Sequence, residues 1–295
     1  MKKLVFTGAG VATVTPFHAD GSVNYEKLGE LIDRQIAQGT DAIVICGTTG
    51  ESPTLTPQEH SACIRFAVKQ TAGRVPVIAG TGSNDTAFAA ELSIEAEKDG
   101  ADALLMVTPY YNKTSQAGLV RHFHYVADRV TLPIILYNVP SRTGLNILPE
   151  TYYALSRHEN IVATKEANGD ISSVAKTRAL CGGDLAFYSG NDDQITAIMA
   201  LGGMGVISTM SNVTPKIPHE IAALALAGNV AASARLQLEW LDLCNDLFVD
   251  VNPIPVKEAM NLMGLGVGGC RLPLCEIGGA ALTKLKATLE RHGLI

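Results

Sequence analysis

The sequence contains no long hydrophobic run, and this absence excludes the usual membrane proteins. No apolar stretch approaches the ~20 residues that a membrane-spanning helix requires. The N-terminal lysines are followed by only a short apolar segment, residues 4–6, whereas a secretory signal needs ~7–15 apolar residues in succession. We therefore expect a cytoplasmic protein without a membrane partner.

An excess of basic residues is also missing. The chain has 23 lysine and arginine residues against 29 aspartate and glutamate residues, which gives a formal net charge of −6 at pH 7. This balance offers no attraction for nucleic acid. The motifs GxxxxGK[ST] and GxSxG are absent, and no GxGxxG follows the first apolar run. Nucleic-acid binding, nucleotide binding and serine hydrolysis are therefore poorly supported.

The cysteines and histidines lack the spacing of metal sites, since no CxxC occurs. Cys270 and Cys275 are close in sequence, but a disulfide is uncommon in a cytoplasmic protein, so we expect reduced thiols. His122 and His124 are two residues apart on a predicted helix and do not share a face. No metal and no other cofactor is predicted. The cysteines are Cys46, Cys63, Cys181, Cys244, Cys270 and Cys275.

Eight short apolar runs are the main pattern that the sequence does contain. Each is rich in Val, Ile, Leu or Ala and has no charge until its end, which is typical of parallel strands buried on both faces. The runs begin at Gly10, Ala42, Val75, Ala103, Leu132, Ile161, Leu185 and Gly205.

The segments between these runs have helical patterns. Residues 24–37 carry an apolar face, and Thr56 precedes a proline and an acidic third residue, as at a helix start. Residues 87–99 end before Gly100, a C-cap position. Eight strands alternating with helices fit a closed barrel or a doubly wound sheet. The count of eight favours an α/β fold of the (β/α)8 TIM-barrel type.

The C-terminal part, residues 231–295, shows no strand pattern. Apolar residues recur at helical spacing over residues 231–251, and the sequence NPIP at 252–255 interrupts that helix. Two further helical stretches follow, separated by the glycine-rich residues 264–269, which we interpret as a flexible connector. We therefore predict a catalytic barrel over residues 1–230 and a helical C-terminal domain over 231–295.

Lys165 closes the sixth run, and catalysis in such a barrel takes place at the C-terminal ends of the strands. A lysine there loses solvation, which lowers its pKa and favours the neutral amine. A neutral amine attacks a ketone to form a Schiff base, whose iminium then serves as an electron sink. The alternative is a surface lysine paired with Glu166. The presence of Tyr137 and Thr48 at other strand ends favours the Schiff-base interpretation of Lys165.

Other polar residues at these strand ends also have two interpretations each. Tyr137 is either a proton carrier beside the imine or a packing aromatic. Thr48 and Thr49 either end a strand or, with their flanking glycines, let backbone N–H groups approach a carboxylate. Arg142 is either a solvated surface residue or a bidentate clamp for a second carboxylate.

Four motifs together resemble those of the dihydrodipicolinate synthase/N-acetylneuraminate lyase family. They are GTTGE at 47–51, YYN at 110–112, YNVP at 137–140 and KE at 165–166, and the resemblance extends from about Thr7 to the C-terminus. It implies a class I aldolase that joins pyruvate to L-aspartate 4-semialdehyde in the diaminopimelate route to lysine. It also implies a homotetramer built as a dimer of dimers.

The resemblance further implies roles for individual residues. Lys165 would be the Schiff-base lysine, and the proton relay would consist of Thr48, Tyr137 and Tyr111, the last reaching into the neighbouring subunit's site. The substrate-binding residues would be Thr49 for the pyruvate carboxylate, Arg142 for the semialdehyde carboxylate, and the Gly190 and Ile207 carbonyls as pocket lining.

Feedback by lysine is the one family property that the sequence argues against. In lysine-inhibited members the equivalents of four residues bind lysine at the dimer interface. Phe88, however, occupies the position of a glutamate, and Pro57 that of a histidine found in some members. A carboxylate is the natural partner for an ammonium group, so we expect weak or absent feedback. The four candidate residues are Ser52, His60, Asn84 and Tyr110.

Two alternatives remain open. Another aldolase of the same family would cleave a sialic acid or a 2-keto-3-deoxy sugar acid, but the sequence SRTG at 141–144 and the Thr48-Thr49 pair favour the semialdehyde reaction. A non-catalytic barrel that senses pyruvate-like acids is the other alternative. The presence of both Lys165 and Tyr137 argues against it.

Overall fold

Eight parallel strands close into one barrel, in the order in which they occur along the chain. The computed structural model describes residues 2–295. Nearly every strand residue is buried, because helices cover the outer face and side chains fill the interior. The predicted TIM barrel is confirmed. Its strands are β1 (Gly8–Ala12), β2 (Ala42–Ile45), β3 (Val77–Gly80), β4 (Ala103–Val107), β5 (Ile134–Asn138), β6 (Ile161–Glu166), β7 (Ala186–Ser189) and β8 (Gly205–Ser208).

Helices connect successive strands and form the outer layer of the barrel. None of the helices within residues 2–295 has both the length and the apolar character that crossing a bilayer requires. The outer helices are α1 (Tyr25–Ala37), α2 (Pro57–Thr71), α3 (Thr86–Lys98), α4 (Gln116–Ala127), α5 (Pro140–Thr143), α6 (Pro149–Ser156), α7 (Ile171–Cys181), α8 (Ile195–Ala200) and α9 (Lys216–Leu226).

Side-chain caps fix the starts of the first helices, and the cap at Thr56 is one that the sequence predicts. The Asn24 side chain accepts a hydrogen bond from the Lys27 backbone N–H at 3.0 Å and begins α1. Thr56 and Glu59 form a reciprocal capping box at the start of α2. Each such cap satisfies backbone donors that the first turn leaves free.

Glycines at the seam between β1 and β8 allow the barrel to close. Gly8 and Gly205 are register partners in this pair of strands. A Cβ at Gly205 would lie 1.9 Å from the Gly8 carbonyl oxygen, and one at Gly8 would lie 2.1 Å from Asp41 Oδ2. Only glycine permits backbones to approach this closely.

The barrel interior is filled from the N-terminal ends of the strands. Phe6, just before β1, stacks on Tyr188 with ring centroids 4.4 Å apart. The Tyr188 hydroxyl donates to the Phe6 carbonyl at 2.6 Å. This aromatic pair belongs to an apolar cluster inside the barrel. Since that end is closed by packing, the opposite end is the one at which polar groups gather.

Four further helices follow the barrel: α10 (Val230–Glu239), α11 (Leu241–Asp246), α12 (Ile254–Leu262) and α13 (Gly279–Arg291). The single helix predicted over residues 231–251 is wrong, because the chain breaks at Trp240. Trp240 stacks on His292, with ring centroids 4.2 Å apart, and α11 packs against α13. Because α10 packs against α8 and α9, the division of the chain at residue 230 stays a prediction.

The flexible connector predicted over residues 264–269 is also wrong. Val267 is fully buried, its N–H donates to Asn261 Oδ1 at 2.8 Å, and its carbonyl accepts from Phe17 N at 3.1 Å. A Cβ at Gly268 would lie 2.1 Å from the Phe17 carbonyl oxygen. Gly268 therefore serves close packing against the segment that follows β1.

Candidate active site

The register of β5 and β6 places Tyr137 directly beside Lys165. Lys165 Nζ lies 4.3 Å from the centre of the Tyr137 ring, and the two residues are only 5% and 7% exposed. Register partners on neighbouring strands point to the same face of a sheet. The strongest two candidates from the sequence therefore lie together inside the barrel, near the C-terminal ends of their strands.

Glu166, the next residue on β6, points to the opposite face. Its carboxylate accepts hydrogen bonds from Asn138 Nδ2 at 2.9 Å, the Tyr152 hydroxyl at 2.8 Å and the Asn168 backbone N–H at 2.9 Å. Burial raises the pKa of Glu166 to about 7. The alternative of a surface ion pair between Lys165 and Glu166 is therefore wrong, because successive strand residues face opposite sides.

The loop after β2 carries Thr48 and Thr49 between two residues with left-handed backbone, Cys46 at φ 55° and Glu51 at φ 56°. Thr49 is buried, and its hydroxyl accepts a hydrogen bond from Asn252 Nδ2 at 2.9 Å. Within the described chain, the backbone N–H groups of the two threonines donate to no protein acceptor. Such free N–H groups in a tight turn suit a carboxylate.

Arg142 stands at the rim of the barrel, in the one-turn helix α5. Because α5 follows β5 directly, this residue lies above the strand that carries Tyr137. Arg142 is exposed, and its Nη2 lies 3.4 Å from the carbonyl oxygen of Asn252. The remaining guanidinium donors are open to a carboxylate that arrives from solvent.

Gly190 and Ile207 lie on the other side of Lys165, at the ends of β7 and in β8. The Gly190 N–H donates to the Glu166 carbonyl at 2.7 Å. A Cβ at Gly190 would lie 2.7 Å from Ala167 Cβ and 3.1 Å from Lys165 Cγ. Glycine at this position therefore leaves the space beside the lysine open.

Tyr111 is a predicted catalytic residue that the structure does not bring into the site of its own chain. It is 92% exposed, and its backbone is left-handed, with φ 66°. A side chain this exposed lies outside the pocket of its own chain.

The residues predicted for lysine binding are only partly grouped. Asn84 Nδ2 donates to the Tyr110 carbonyl at 3.3 Å. The His60 ring is buried, and its Nε2 lies 2.8 Å from the Gly80 carbonyl oxygen. Together with Phe88, which is 39% exposed, His60 lines a cavity of about 190 Å³ between α2 and α3. Ser52 begins a short 3₁₀ turn after the threonine loop.

Two buried polar residues belong to the site although the sequence did not assign them a role. Asp192 follows β7, its Oδ2 accepts from the Thr209 and Met210 backbone N–H groups at 3.1 and 2.9 Å, and burial raises its pKa. Its position at a strand end is a signal that sequence reasoning could have used. Asn252 lies 203 residues from Thr49 in the chain, so no local pattern signals its contact with that hydroxyl.

No cluster of three or more His, Cys, Asp or Glu side chains suited to a metal ion occurs within residues 2–295. His122 Nδ1 lies 2.9 Å from Thr86 Oγ1, and burial lowers the pKa of His122 to about 4. The His124 ring instead lies 5.4 Å from that of His158. The two histidines therefore have different neighbours, as their spacing predicts. The thiols in the described chain are free.

Comparisons with known proteins identify the family of this chain. Residues 5–292 match the profile of the dihydrodipicolinate synthetase family. A protein of Acetivibrio thermocellus named 4-hydroxy-tetrahydrodipicolinate synthase is 55% identical over 295 residues, which is 100% of both chains. A protein of Thermoanaerobacter pseudethanolicus with the same name is 56% identical over 292 residues, covering 99% of this chain and 98% of its own.

Solved structures give the same result. Dihydrodipicolinate synthase from Aquifex aeolicus matches with a TM-score of 0.95 and 44% identity, covering 98% of this chain and 99% of its own. The chloride-inhibited enzyme from Acinetobacter baumannii, complexed with pyruvate, matches with a TM-score of 0.96 and 42% identity, over 98% and 99% of the two chains. From its sequence, its barrel and these relatives, the chain belongs to the dihydrodipicolinate synthetase family.

Proposed function

We propose that this chain condenses pyruvate with L-aspartate 4-semialdehyde through a Schiff base on Lys165, giving 4-hydroxy-tetrahydrodipicolinate for diaminopimelate and lysine synthesis. The observation that carries the proposal is the buried Lys165 amine, 4.3 Å from the Tyr137 ring centre at the C-terminal end of the barrel. The relative from Acetivibrio thermocellus bears the corresponding name, and the one from Acinetobacter baumannii binds pyruvate. We place the reaction in the cytoplasm.

Imine formation is the first half of the reaction. The neutral Lys165 amine adds to the keto carbon of pyruvate, and the resulting carbinolamine loses water to give an iminium ion. The iminium accepts the electron pair of a methyl C–H bond when that proton leaves, and an enamine forms. The free N–H groups of Thr48 and Thr49 hold the pyruvate carboxylate during these steps.

Carbon–carbon bond formation is the second half. The enamine carbon attacks the aldehyde carbon of the semialdehyde, and the aldehyde oxygen takes up a proton. The semialdehyde's own amino group then attacks the imine carbon, and the Lys165 amine leaves, so the ring closes and the enzyme is regenerated. Arg142 binds the semialdehyde carboxylate at the rim, where its guanidinium is open to solvent.

Proton transfers accompany addition, dehydration and enamine formation, and hydroxyl groups serve them. Tyr137 is the central carrier, since its ring lies against the Lys165 amine. Thr48 and Tyr111 complete the relay. The Gly190 and Ile207 carbonyls line the pocket on the side of β7 and β8.

The proposed assembly is a homotetramer built as a dimer of dimers. Tyr111 supports it, because a catalytic tyrosine that is 92% exposed in its own chain must reach a site elsewhere. One matching structure, 41% identical, is described as the first monomeric dihydrodipicolinate synthase variant, so other assemblies occur among relatives.

Borohydride trapping tests the proposal directly. Protein incubated with pyruvate and borohydride should gain the mass of a reduced pyruvate adduct, and peptide mapping should place it on Lys165. The Lys165→Ala variant should form no adduct and lose condensation activity. Turnover that survives this substitution would refute the mechanism.

A substrate panel then separates the remaining alternatives. Pyruvate is held constant while aspartate semialdehyde, N-acetylmannosamine and short sugar aldehydes are compared as acceptors. The proposal requires the semialdehyde to give the highest kcat/KM. An adduct that forms without turnover of any aldehyde would instead indicate a sensor of keto acids.

A further inference from the structure

We propose that Lys257, in the C-terminal helix α12, is a positioning residue that fixes the threonine loop after β2 through Glu51. The inference deepens the proposed function, because this loop carries the groups assigned to pyruvate. The Lys257 and Glu51 side chains are 2% and 1% exposed, and Nζ lies 2.9 Å from Oε1. The two residues are 206 positions apart in the chain.

The Lys257 ammonium uses every donor it has. A lysine ammonium carries three N–H groups, and here they meet Glu51 Oε1 at 2.9 Å, the Thr15 carbonyl at 3.0 Å and the Gly269 carbonyl. The Phe17 ring covers the ammonium, with its centre 4.4 Å from Nζ. One buried cation thus joins the segment after β1, the threonine loop and the glycine-rich C-terminal segment.

Glu51 transmits this contact to the threonines. Its second carboxylate oxygen accepts from the Arg271 backbone N–H at 2.9 Å, and its own N–H donates to the Thr48 carbonyl at 3.1 Å. Its φ of 56° is a conformation that L-residues rarely adopt. Contacts from other parts of the chain are therefore needed to hold the end of the loop, and the Glu51 carboxylate makes them with Lys257 and Arg271.

Asn252 provides a second attachment from the same part of the chain. It lies just before α12, and its Nδ2 donates to Thr49 Oγ1 at 2.9 Å. The loop that is assigned to pyruvate is thus held at two points by residues 252–257, which belong to the C-terminal segment rather than to the barrel strands.

Stability alone does not account for this arrangement. Burying two charges removes their hydration, and apolar replacements of similar volume are often as stable or more so. What the ion pair provides is direction, because three acceptors fix the ammonium and the ammonium fixes the carboxylate. A catalytic loop needs such placement to within about 0.5 Å. We therefore assign this ion pair the role of fixing the geometry of the site at the end that binds pyruvate.

Three variants separate positioning from stability. Lys257→Met leaves Glu51 without its cation, whereas the double variant Glu51→Gln/Lys257→Met removes both charges and keeps the volumes. Asp246→Ala is the matched control, since it removes a buried carboxylate that pairs with Lys284 in α13 and does not contact the loop. For each, we would measure the melting temperature, the rate of borohydride-trapped pyruvate adduct formation, and KM for both substrates.

Positioning predicts a specific pattern. Lys257→Met should slow adduct formation about 10- to 100-fold and raise KM for pyruvate, while KM for the semialdehyde stays unchanged. The double variant should regain the wild-type melting temperature but not the wild-type rate of adduct formation. Asp246→Ala should lower the melting temperature and leave the rate unchanged.

The opposite pattern would overturn the inference. If the double variant forms the adduct as fast as the wild type, Lys257 serves stability only. Because this test compares the double variant with the wild type, it holds even when Lys257→Met fails to fold. If the wild type forms no adduct at all, the proposed function itself fails. If the wild type forms the adduct and the variants form it at the same rate, the positioning role is refuted while the proposed function stands.

Discussion

Two adjacent residues, Lys165 and Glu166, show how one strand supplies two unrelated environments. Lys165 faces the barrel interior and the Tyr137 ring. Glu166 faces the helix layer, where Tyr152 and Asn138 donate to its carboxylate. The alternation of side chains along a strand therefore separates the reactive amine from the carboxylate that follows it in the sequence. The amine stays available for a keto acid because its neighbour in sequence is not its neighbour in space.

Glu166 should make folding stability depend on pH. Burial raises its pKa from 4.5 to about 7, so between these values the folded chain holds a proton that the unfolded chain has released. The free energy of unfolding should therefore fall as pH rises through this window, by on the order of 3 kcal/mol at most. The Glu166→Gln variant has no titrating group at this position, so its free energy of unfolding should lack this part of the pH dependence.

Urea denaturation at several pH values checks this expectation, with fluorescence of the single tryptophan, Trp240, as the signal. The difference between wild type and Glu166→Gln isolates the carboxyl from other titrating groups. Parallel stability curves for the two proteins would contradict the raised pKa.

Lysine feedback should be weak in this chain because Phe88 offers no charge to an ammonium group. Millimolar lysine should leave most of the condensation activity in the wild type. Phe88→Glu should strengthen inhibition, since a carboxylate near His60 and the adjoining cavity supplies the missing ion pair. Phe88→Gln is the uncharged control and should behave like the wild type. An inhibition constant in the micromolar range for the unsubstituted chain would contradict this reasoning.

Sequence reasoning finds site residues where a local rule applies. Lys165, Tyr137 and Thr49 end apolar runs, and a barrel collects its strand ends in one ring, so their proximity can be predicted. Lys257 and Asn252 end no such run, and their partners in the threonine loop lie more than 200 residues away. Contacts of this kind depend on how the C-terminal segment packs, which no short pattern encodes.

At the scale of elements, strands were easier to predict than helix ends. Every strand overlaps a predicted apolar run, because burial on both faces removes polar residues from the strand, although β1 begins at Gly8, two residues before its run. The break between α10 and α11 has no such signal in the sequence, and the residue at the break, Trp240, stacks on His292 near the other end of the C-terminal segment. The glycine-rich residues 264–269 gave a wrong prediction because glycine permits close packing as well as flexibility, and the sequence pattern does not distinguish the two.

The seam between β1 and β8 gives a prediction at this scale. Gly205→Ala should lower the free energy of unfolding by about 3 kcal/mol or more, because its Cβ would lie 1.9 Å from the Gly8 carbonyl oxygen and the strands must separate. Gly228→Ala is the control, as that glycine also has positive φ, at 81°, but a Cβ there would meet no atom within 4 Å. It should lose only about 1 kcal/mol.

Chemical denaturation of both glycine variants measures the difference. The barrel-closure argument fails if Gly205→Ala is no less stable than Gly228→Ala. Circular dichroism of the folded variants distinguishes a local opening of the seam from loss of the whole barrel.

At the scale of the whole molecule, the relay that we propose is incomplete within a single chain. Lys165 and Tyr137 are buried inside the barrel and Thr49 is buried in the loop after β2, whereas Tyr111 is 92% exposed. In a symmetric dimer the same surface patch contacts itself, so each chain gives its tyrosine to its partner and receives one in return. If Tyr111 has the proposed role, the proposed assembly serves catalysis as well as stability.

Mixing two inactive variants tests this exchange. Lys165→Ala has no nucleophile, and Tyr111→Phe lacks a relay hydroxyl and should lose about 100-fold or more in rate. In a mixed dimer, the chain with an intact Lys165 receives Tyr111 from its Lys165→Ala partner, so one site is complete. Random pairing makes about half of the dimers mixed, and the mixture should recover about a quarter of wild-type activity. If Tyr111 acted within its own chain, no mixture would exceed the mean of its parents.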